Sequence, residues 1–258
     1  MLKLKINKSI FNPVYVPYLE STTPTQLFFG GSSSGKSYFL AQRCIVDMAK
    51  GGRNYLVLRK VARDTKKTVW NEVIKALKRF KLYNHCTINK SDLTITFPNG
   101  YQMLFGGLDD RERIKGITPQ KGVITDIWLE EATEFDEDDL KQIEKRLRGK
   151  SKVSKRVLLS FNPIIKTHWI YTRFFNNWDD SKNIYQSDDL LILKTTYLDN
   201  VFLTADDIKR IESETDEYYI DVYLKGNWGI MGDIIFRNWR VEDIDDLLNT
   251  VDHSCHGL

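Results

Sequence analysis

The sequence predicts an α/β domain built on a mostly parallel central sheet flanked by helices, with an added antiparallel hairpin and a small helical subdomain toward the C-terminus. Three observations carry this. Strand-like and helix-like patterns alternate through "QLFF", Lys36 to about Lys50, "YLVLR" and about Thr65 to Lys81, and that order requires parallel strands covered on both faces. "LTITFPNGYQMLF" places two alternating apolar runs around Pro98, Asn99 and Gly100, which is a hairpin signal. "GVITDIWLEE" is almost wholly apolar until its last two residues, as a strand buried on both faces should be.

Taken in order, residues 1–25 mix proline, aromatics and a "STTPT" cluster, which predicts an extended arm. Residues 26–200 form the core. Its first strand is Gln26 to Phe29, a "GGRN" break precedes the strand Tyr55 to Arg59, and the second hairpin arm is placed to join the main sheet's edge. The "DIWLEE" strand follows, with Asp126 expected as a solvated strand start, since about four residues of extended chain, some 13 Å, separate it from Glu130. A helix from about Glu137 to Arg148 and the strands "KRVLLSFNP" and "LILKTTYL" complete the core. Residues 201–240 read as a small helical subdomain or linker, with two short helices between Thr204 and Leu224 ended by "KGNWG". Residues 241–258 read as a tail.

At 258 residues and 41% apolar content, the chain can bury a large core in one domain, or in one domain plus an appendage. The net charge of +3, from 38 basic and 35 acidic side chains, neither demands nor excludes a nucleic-acid partner. Cys44, Cys86 and Cys255 show no pairing or metal-ligand rhythm, which favours buried thiols in a reducing compartment. No run approaches the about 18 apolar residues of a membrane span, and "MLKLKINKSI" lacks a secretory apolar block.

"GGSSSGKS" fits G-x-x-x-x-G-K-[ST] and sits between an apolar strand and a helix, the context a phosphate-binding loop needs. Gly30, Gly31, Ser32, Ser33, Ser34, Gly35, Lys36 and Ser37 would cradle the phosphates of a nucleoside triphosphate. Backbone amides at a helix start favour anions, Lys36 would neutralise the outer phosphates, and the Ser37 hydroxyl would hold Mg2+. Such a P-loop NTPase also needs a metal-side carboxylate and a water-orienting residue at the end of a neighbouring strand. Glu130 fits the first role and Glu131 the second, as general base. The acidic run after them also permits a solvated helix approach. Asn162 precedes the proline that ends "LLSFNP", where its amide could meet the outer phosphate; Asn-Pro is equally an ordinary turn.

Together "QLFFGGSSSGKS", "IWLEEATEF", "LLSFNP" and "TTYLDN" resemble the motor domain of the large terminase subunit of tailed double-stranded-DNA bacteriophages, from about Gln26 to Phe236. The spacing supports this: Glu131 lies 95 residues after Lys36, and "SFNP" about thirty further on. The resemblance implies an ATPase, acting as a homo-oligomeric ring on double-stranded DNA, with a portal protein and a small terminase subunit as partners. It implies the host cell cytoplasm, with transient docking on the procapsid portal. Lys36 and Ser37 would meet the phosphates and metal, Glu130 would be the metal-side acid, Glu131 the catalytic base, and Asn162 part of the coupling motif. Family members carry a metal-dependent nuclease domain, and "HSCHGL" falls about where it would begin; the resemblance thus implies an isolated motor domain with no nuclease activity of its own.

Ser32 stands where many relatives have an arginine. A guanidinium would then come from a neighbouring subunit, with Arg111 or Arg113 of "LDDRERIKG" favoured over Arg146 or Arg148 of "KRLRGK". From Lys141 to Arg156 there are eight basic residues and one acid, a run that could track DNA phosphates, meet an acidic face, or be a plain exposed loop. Two rival readings remain: a P-loop helicase or repair ATPase, and a nucleotide-gated DNA-binding switch.

Overall fold

The computed structural model describes residues 7–109, 114 and 116–229. Among these, the apolar runs become the parallel centre of a single sheet. Its strands are β1 Thr25–Gly30, β2 Tyr55–Arg59, β3 Thr87–Asn89, β4 Thr94–Thr96, β5 Gln102–Gly107, β6 Asp126–Glu130, β7 Arg156–Phe161, β8 Ile184–Gln186 and β9 Leu190–Thr195. Their spatial order is β3-β4-β5-β2-β6-β7-β1-β9-β8. The six strands from β5 to β9 run parallel. As the hairpin pattern predicts, β4 pairs antiparallel with β5, whose other edge joins β2.

Alternate residues of each central strand face opposite cores. On one face Phe28, Val57, Trp128 and Leu158 pack with Phe39 and Leu40 of α1 (Lys36–Lys50) and with Trp70, Val73 and Leu77 of α3 (Val69–Arg79). On the other, Phe29, Leu58, Leu129 and Phe161 pack with Leu140 and Ile143 of α4 (Glu137–Glu144), Ile170 of α5 (Trp169–Phe174), and Trp228. The period-two alternation fixes register, because a one-residue slip would exchange the two cores.

Four features differ from the sequence expectation. The N-terminal segment is not extended: Lys8–Ile10 and Pro13–Tyr18 form 3-10 turns that bury Phe11 and Tyr15 in the first core. Pro13 starts one turn and Pro17 sits within it, and Tyr15 stacks on Phe39 with centroids 4.6 Å apart. The helix expected from Thr65 to Lys81 is two helices, α2 (Ala62–Lys67) and α3, divided at Thr68. The Thr68 hydroxyl donates to the Asp64 carbonyl at 2.7 Å, a back-bond that bends helices.

The helix expected to reach Arg148 ends at Glu144, where the backbone tightens through Arg146 N to Ile143 O and Lys155 Nζ holds the carbonyls of Leu147 and Gly149. Its start is as strong as the sequence suggests, with an Asp136/Asp139 capping box that Lys60 bridges.

Asp126 is the clearest correction. It is fully buried and accepts from Arg156 Nε at 2.5 Å, Arg53 Nη1 at 3.1 Å and the Thr125 hydroxyl at 2.7 Å. Arg156 Nη2 also reaches Asp47 at 2.5 Å and the Tyr55 hydroxyl at 2.6 Å. Tyr55, Asp126 and Arg156 share one register row at the start of β2, β6 and β7. An isolated charge would not survive there, and the mutual pairing is what permits it.

Beyond β9, α6 (Ala205–Glu212) is capped by Thr204, and α7 (Glu217–Tyr219) runs into a π-turn at Ile220–Leu224. That turn packs back on the loop after β1, with Ser32 N donating to Tyr223 O at 2.6 Å.

Candidate active site

The loop after β1 has little freedom. At Gly30, φ is +132° and a Cβ would lie 1.9 Å from the Thr195 carbonyl oxygen, so only glycine lets β9 approach this closely. Gly35, at φ +84°, turns the chain into α1. Between them the Tyr15 hydroxyl donates to Ser34 O at 3.0 Å and Asn200 Nδ2 to Ser33 O at 2.7 Å. Neither Tyr15 nor Asn200 is prominent in the sequence. Only "TTYLDN" hinted that Asn200 mattered.

Lys36 is buried and folds back into the loop, donating to Gly30 O at 3.2 Å, Gly31 O at 2.7 Å, Ser34 Oγ at 3.1 Å and Asn162 Oδ1 at 2.9 Å. Asn162 in turn donates through Nδ2 to Ser32 Oγ at 3.2 Å. The strand-end asparagine therefore joins the loop lysine to the loop serine. Burial pushes the Lys36 ammonium down to about 8, against the pull of Glu131 and Glu130. A phosphate would oppose that shift and raise it again. Since the bound state has the higher pKa, binding is at full strength below about 8 and weakens as pH rises through that value. ADP, whose phosphates stay fully ionised over this range, titrated calorimetrically without magnesium should accordingly lose up to about tenfold in affinity per pH unit above 8; a flat profile to pH 9.5 would contradict this.

Glu130 ends β6 and Glu131 follows it beside the loop, and with Ser160, Phe161 and Asn162 they wall a cavity of about 320 Å³ that residues 32–38 floor. Burial pushes the Glu130 carboxyl up to about 7, while hydrogen bonds from the Ser160 and Ser37 hydroxyls pull it back. Ser160, directly across the register from Glu130 on β7, donates to it and accepts from Trp128 Nε1 at 2.7 Å. Ser160 escaped the sequence reading, although a lone hydroxyl in the apolar "VLLSF" was a usable signal.

Glu131 takes a left-handed backbone, φ +54° and ψ +57°, uncommon for a residue with a Cβ and typical of sites where direction matters. Burial raises its carboxyl, and the nearby Arg59 and Lys36 charges lower it. Arg59 ends β2, is itself buried, and pairs with Glu134 at 2.8 Å. It too was missed, hidden as the last residue of "YLVLR".

The predicted loop residues Gly30 to Ser37, the two glutamates and Asn162 are thus brought together. Arg111 and Arg113 lie outside the described residues. Arg146 donates to Ile117 O at 2.5 Å and Arg148 is exposed; both line a separate cavity.

A strand order of this kind, with a glycine-serine loop at the end of β1 and acids at the end of β6, defines the P-loop nucleoside triphosphatase class. Within it the chain belongs to the phage terminase large subunit family, whose family model matches residues 22–227. It is 29% identical over 250 residues to the PBSX phage terminase large subunit of Bacillus subtilis (strain 168), covering 89% of this chain and 55% of that protein. It is 27% identical over 222 residues to the terminase large subunit of Bacillus phage SPP1, covering 83% and 51%. The chain spans about half the length of these relatives. Its fold is similar to that of a large terminase from a thermophilic bacteriophage in complex with ADP, with TM-score 0.63 at 18% identity over 84% of this chain and 51% of that one. The Thermus phage P74-26 large terminase ATPase domain gives TM-score 0.56 at 14% identity, covering 79% and 88%.

Proposed function

We propose that this chain is the ATPase motor domain of a DNA-packaging terminase, hydrolysing ATP to drive double-stranded DNA into a procapsid. The observation that carries it is the Lys36–Asn162–Ser32 bridge flanked by Glu130 and Glu131. It puts a phosphate-binding cation, a polar group that can respond to the outer phosphate and a candidate base around one cavity. The family membership supports the packaging role, and the ADP complex of a terminase of the same fold supports the nucleotide.

In this reading the triphosphate displaces Lys36 from the Gly30 and Gly31 carbonyls and takes its charge. Glu131 accepts the proton of the attacking water, and its burial keeps its basicity closer to neutral than an exposed glutamate's. Ser160 holds the Glu130 carboxylate in place. Asn162, bound to both Lys36 and Ser32, transmits the loss of the outer phosphate to β7. The oxygen donors Glu130 and Ser37 fit Mg2+, a hard cation that takes oxygen ligands. Mg2+ bound there would neutralise charge on the phosphate oxygens.

Ser32 brings no guanidinium, so a neighbouring subunit's Arg111 or Arg113 supplies it in the assembled ring. The dilute monomer should then hydrolyse ATP slowly, and turnover per subunit should rise steeply with assembly on portal and DNA. Phosphate release at equal rates in both states would contradict the shared site.

For DNA, the structure reduces the basic run. Arg156 is buried and ion-paired, Lys155 holds loop carbonyls, and Lys141 pairs with Glu137 and Asp138. Lys145, Arg148, Lys150 and Lys152 remain exposed to meet backbone phosphates. Stimulation of ATP turnover by duplex DNA and by portal rings tests the reading; unwinding of a forked duplex would favour a helicase instead. Among the described residues no helix is long and apolar enough to cross a membrane.

A further inference from the structure

We propose that the base of the bound nucleotide stacks on Phe202, in a subsite completed by Arg79 and Tyr38 beside the phosphate loop. This rests on the nucleotide reading above. The cavity is lined by Asn162 and Glu131 and also by Tyr38 and Glu72. With the outer phosphate held toward Glu131 and Asn162, the ribose and base must leave past the start of α1, where Tyr38 lies two residues beyond Lys36.

Three planar groups, from α1, α3 and the loop after β9, meet there. The Arg79 guanidinium of α3 lies 5.4 Å from the Phe202 ring centroid and 5.7 Å from that of Tyr38, and donates to the Tyr38 hydroxyl at 2.8 Å. Phe202 is nevertheless 42% exposed, which leaves ring surface uncovered. Its position is tied to the loop by a relay of amides. Phe202 N donates to Asn200 Oδ1 at 3.2 Å, Asn200 Nδ2 donates to Ser33 O at 2.7 Å, and Asn12 Nδ2 donates to Asn200 Oδ1 at 3.0 Å. An exposed aromatic ring fixed relative to a phosphate site, with a cation beside it, suits a planar heterocycle. Stacking on a ring face is sequence-tolerant because every base has a π-face, so adenine and guanine nucleotides should both use the subsite.

Calorimetric titration of the chain with MgADP and with magnesium pyrophosphate tests this. Phe202→Ala should weaken ADP about tenfold, the scale of losing one base–aromatic stack, leave pyrophosphate within about twofold, and weaken GDP in parallel. Phe202→Trp should restore ADP. Unchanged ADP affinity in Phe202→Ala overturns the subsite, as does an equal fall for ADP and pyrophosphate, which would mean a distorted loop. Leu198 and Val201 are exposed nearby, so loss of self-association with ADP affinity intact would assign the patch to contact between copies and likewise overturn it. A wild-type chain that binds neither ligand removes the nucleotide reading itself.

Discussion

Glu131→Gln should lower the rate of ATP hydrolysis by the assembled, DNA-stimulated protein by about 10²- to 10⁴-fold, the usual worth of a general base, while ADP affinity stays within about threefold. The amide keeps the size of the side chain and can still hydrogen-bond water, but it cannot take a proton. The left-handed backbone at this residue belongs to the position and not to the carboxylate, so the variant should fold normally. Glu130→Gln should behave differently, weakening the magnesium dependence of binding as well as turnover, because Glu130 faces Ser37 and Ser160. Wild-type turnover in Glu131→Gln would remove the catalytic assignment.

Arg156→Met should destabilise the fold by about 3 kcal/mol, the low end of the cost of breaking a buried ion pair, because Arg53 still pairs with Asp126 and the Tyr55 hydroxyl still donates to Asp47. Asp126 and Asp47 both depend on Arg156, and neither is near the nucleotide cavity. Denaturant unfolding followed by tryptophan fluorescence would read the loss as a lower midpoint, and adding Asp126→Asn should recover part of it. For Asp47 burial alone would raise the carboxyl, but Arg156 and Arg43 outweigh burial and hold it low. A depressed folded-state pKa means that its contribution is fully present above the ordinary carboxylate range and is lost as pH falls below that range through the lowered folded-state value. The Arg156→Met protein should therefore show a shallower acid dependence. A loss below about 1 kcal/mol would show the cluster to be far less consequential than its burial implies.

The central strands were legible in the sequence because two-sided burial leaves an apolar run of strand length with few alternatives. The loop was legible because its residue types are imposed by close approach: Gly30 has no room for a Cβ against Thr195. What the sequence hid were contacts between distant segments. Asp126 looked solvated because its partners, Arg53 and Arg156, lie 73 and 30 residues away and only the sheet register unites them. The same is true of Tyr15 and Asn200, whose bonds to the loop span 19 and 167 residues. Asn162 was ambiguous as a dipeptide and acquires meaning only through its bonds to Lys36 and Ser32. The N-terminal turns were misjudged because proline and aromatic residues suggest extended chain unless a core is there to receive them.

Nucleotide binding and hydrolysis are proposed to share one cavity. An experimentally determined structure of the chain with magnesium and a non-hydrolysable ATP analogue tests it most directly. The outer phosphates should lie at Lys36 and Asn162, the metal against Ser37 and Glu130, and Glu131 should face the outermost phosphorus. A nucleotide bound elsewhere, or one whose outer phosphate turns away from Glu131, would contradict it.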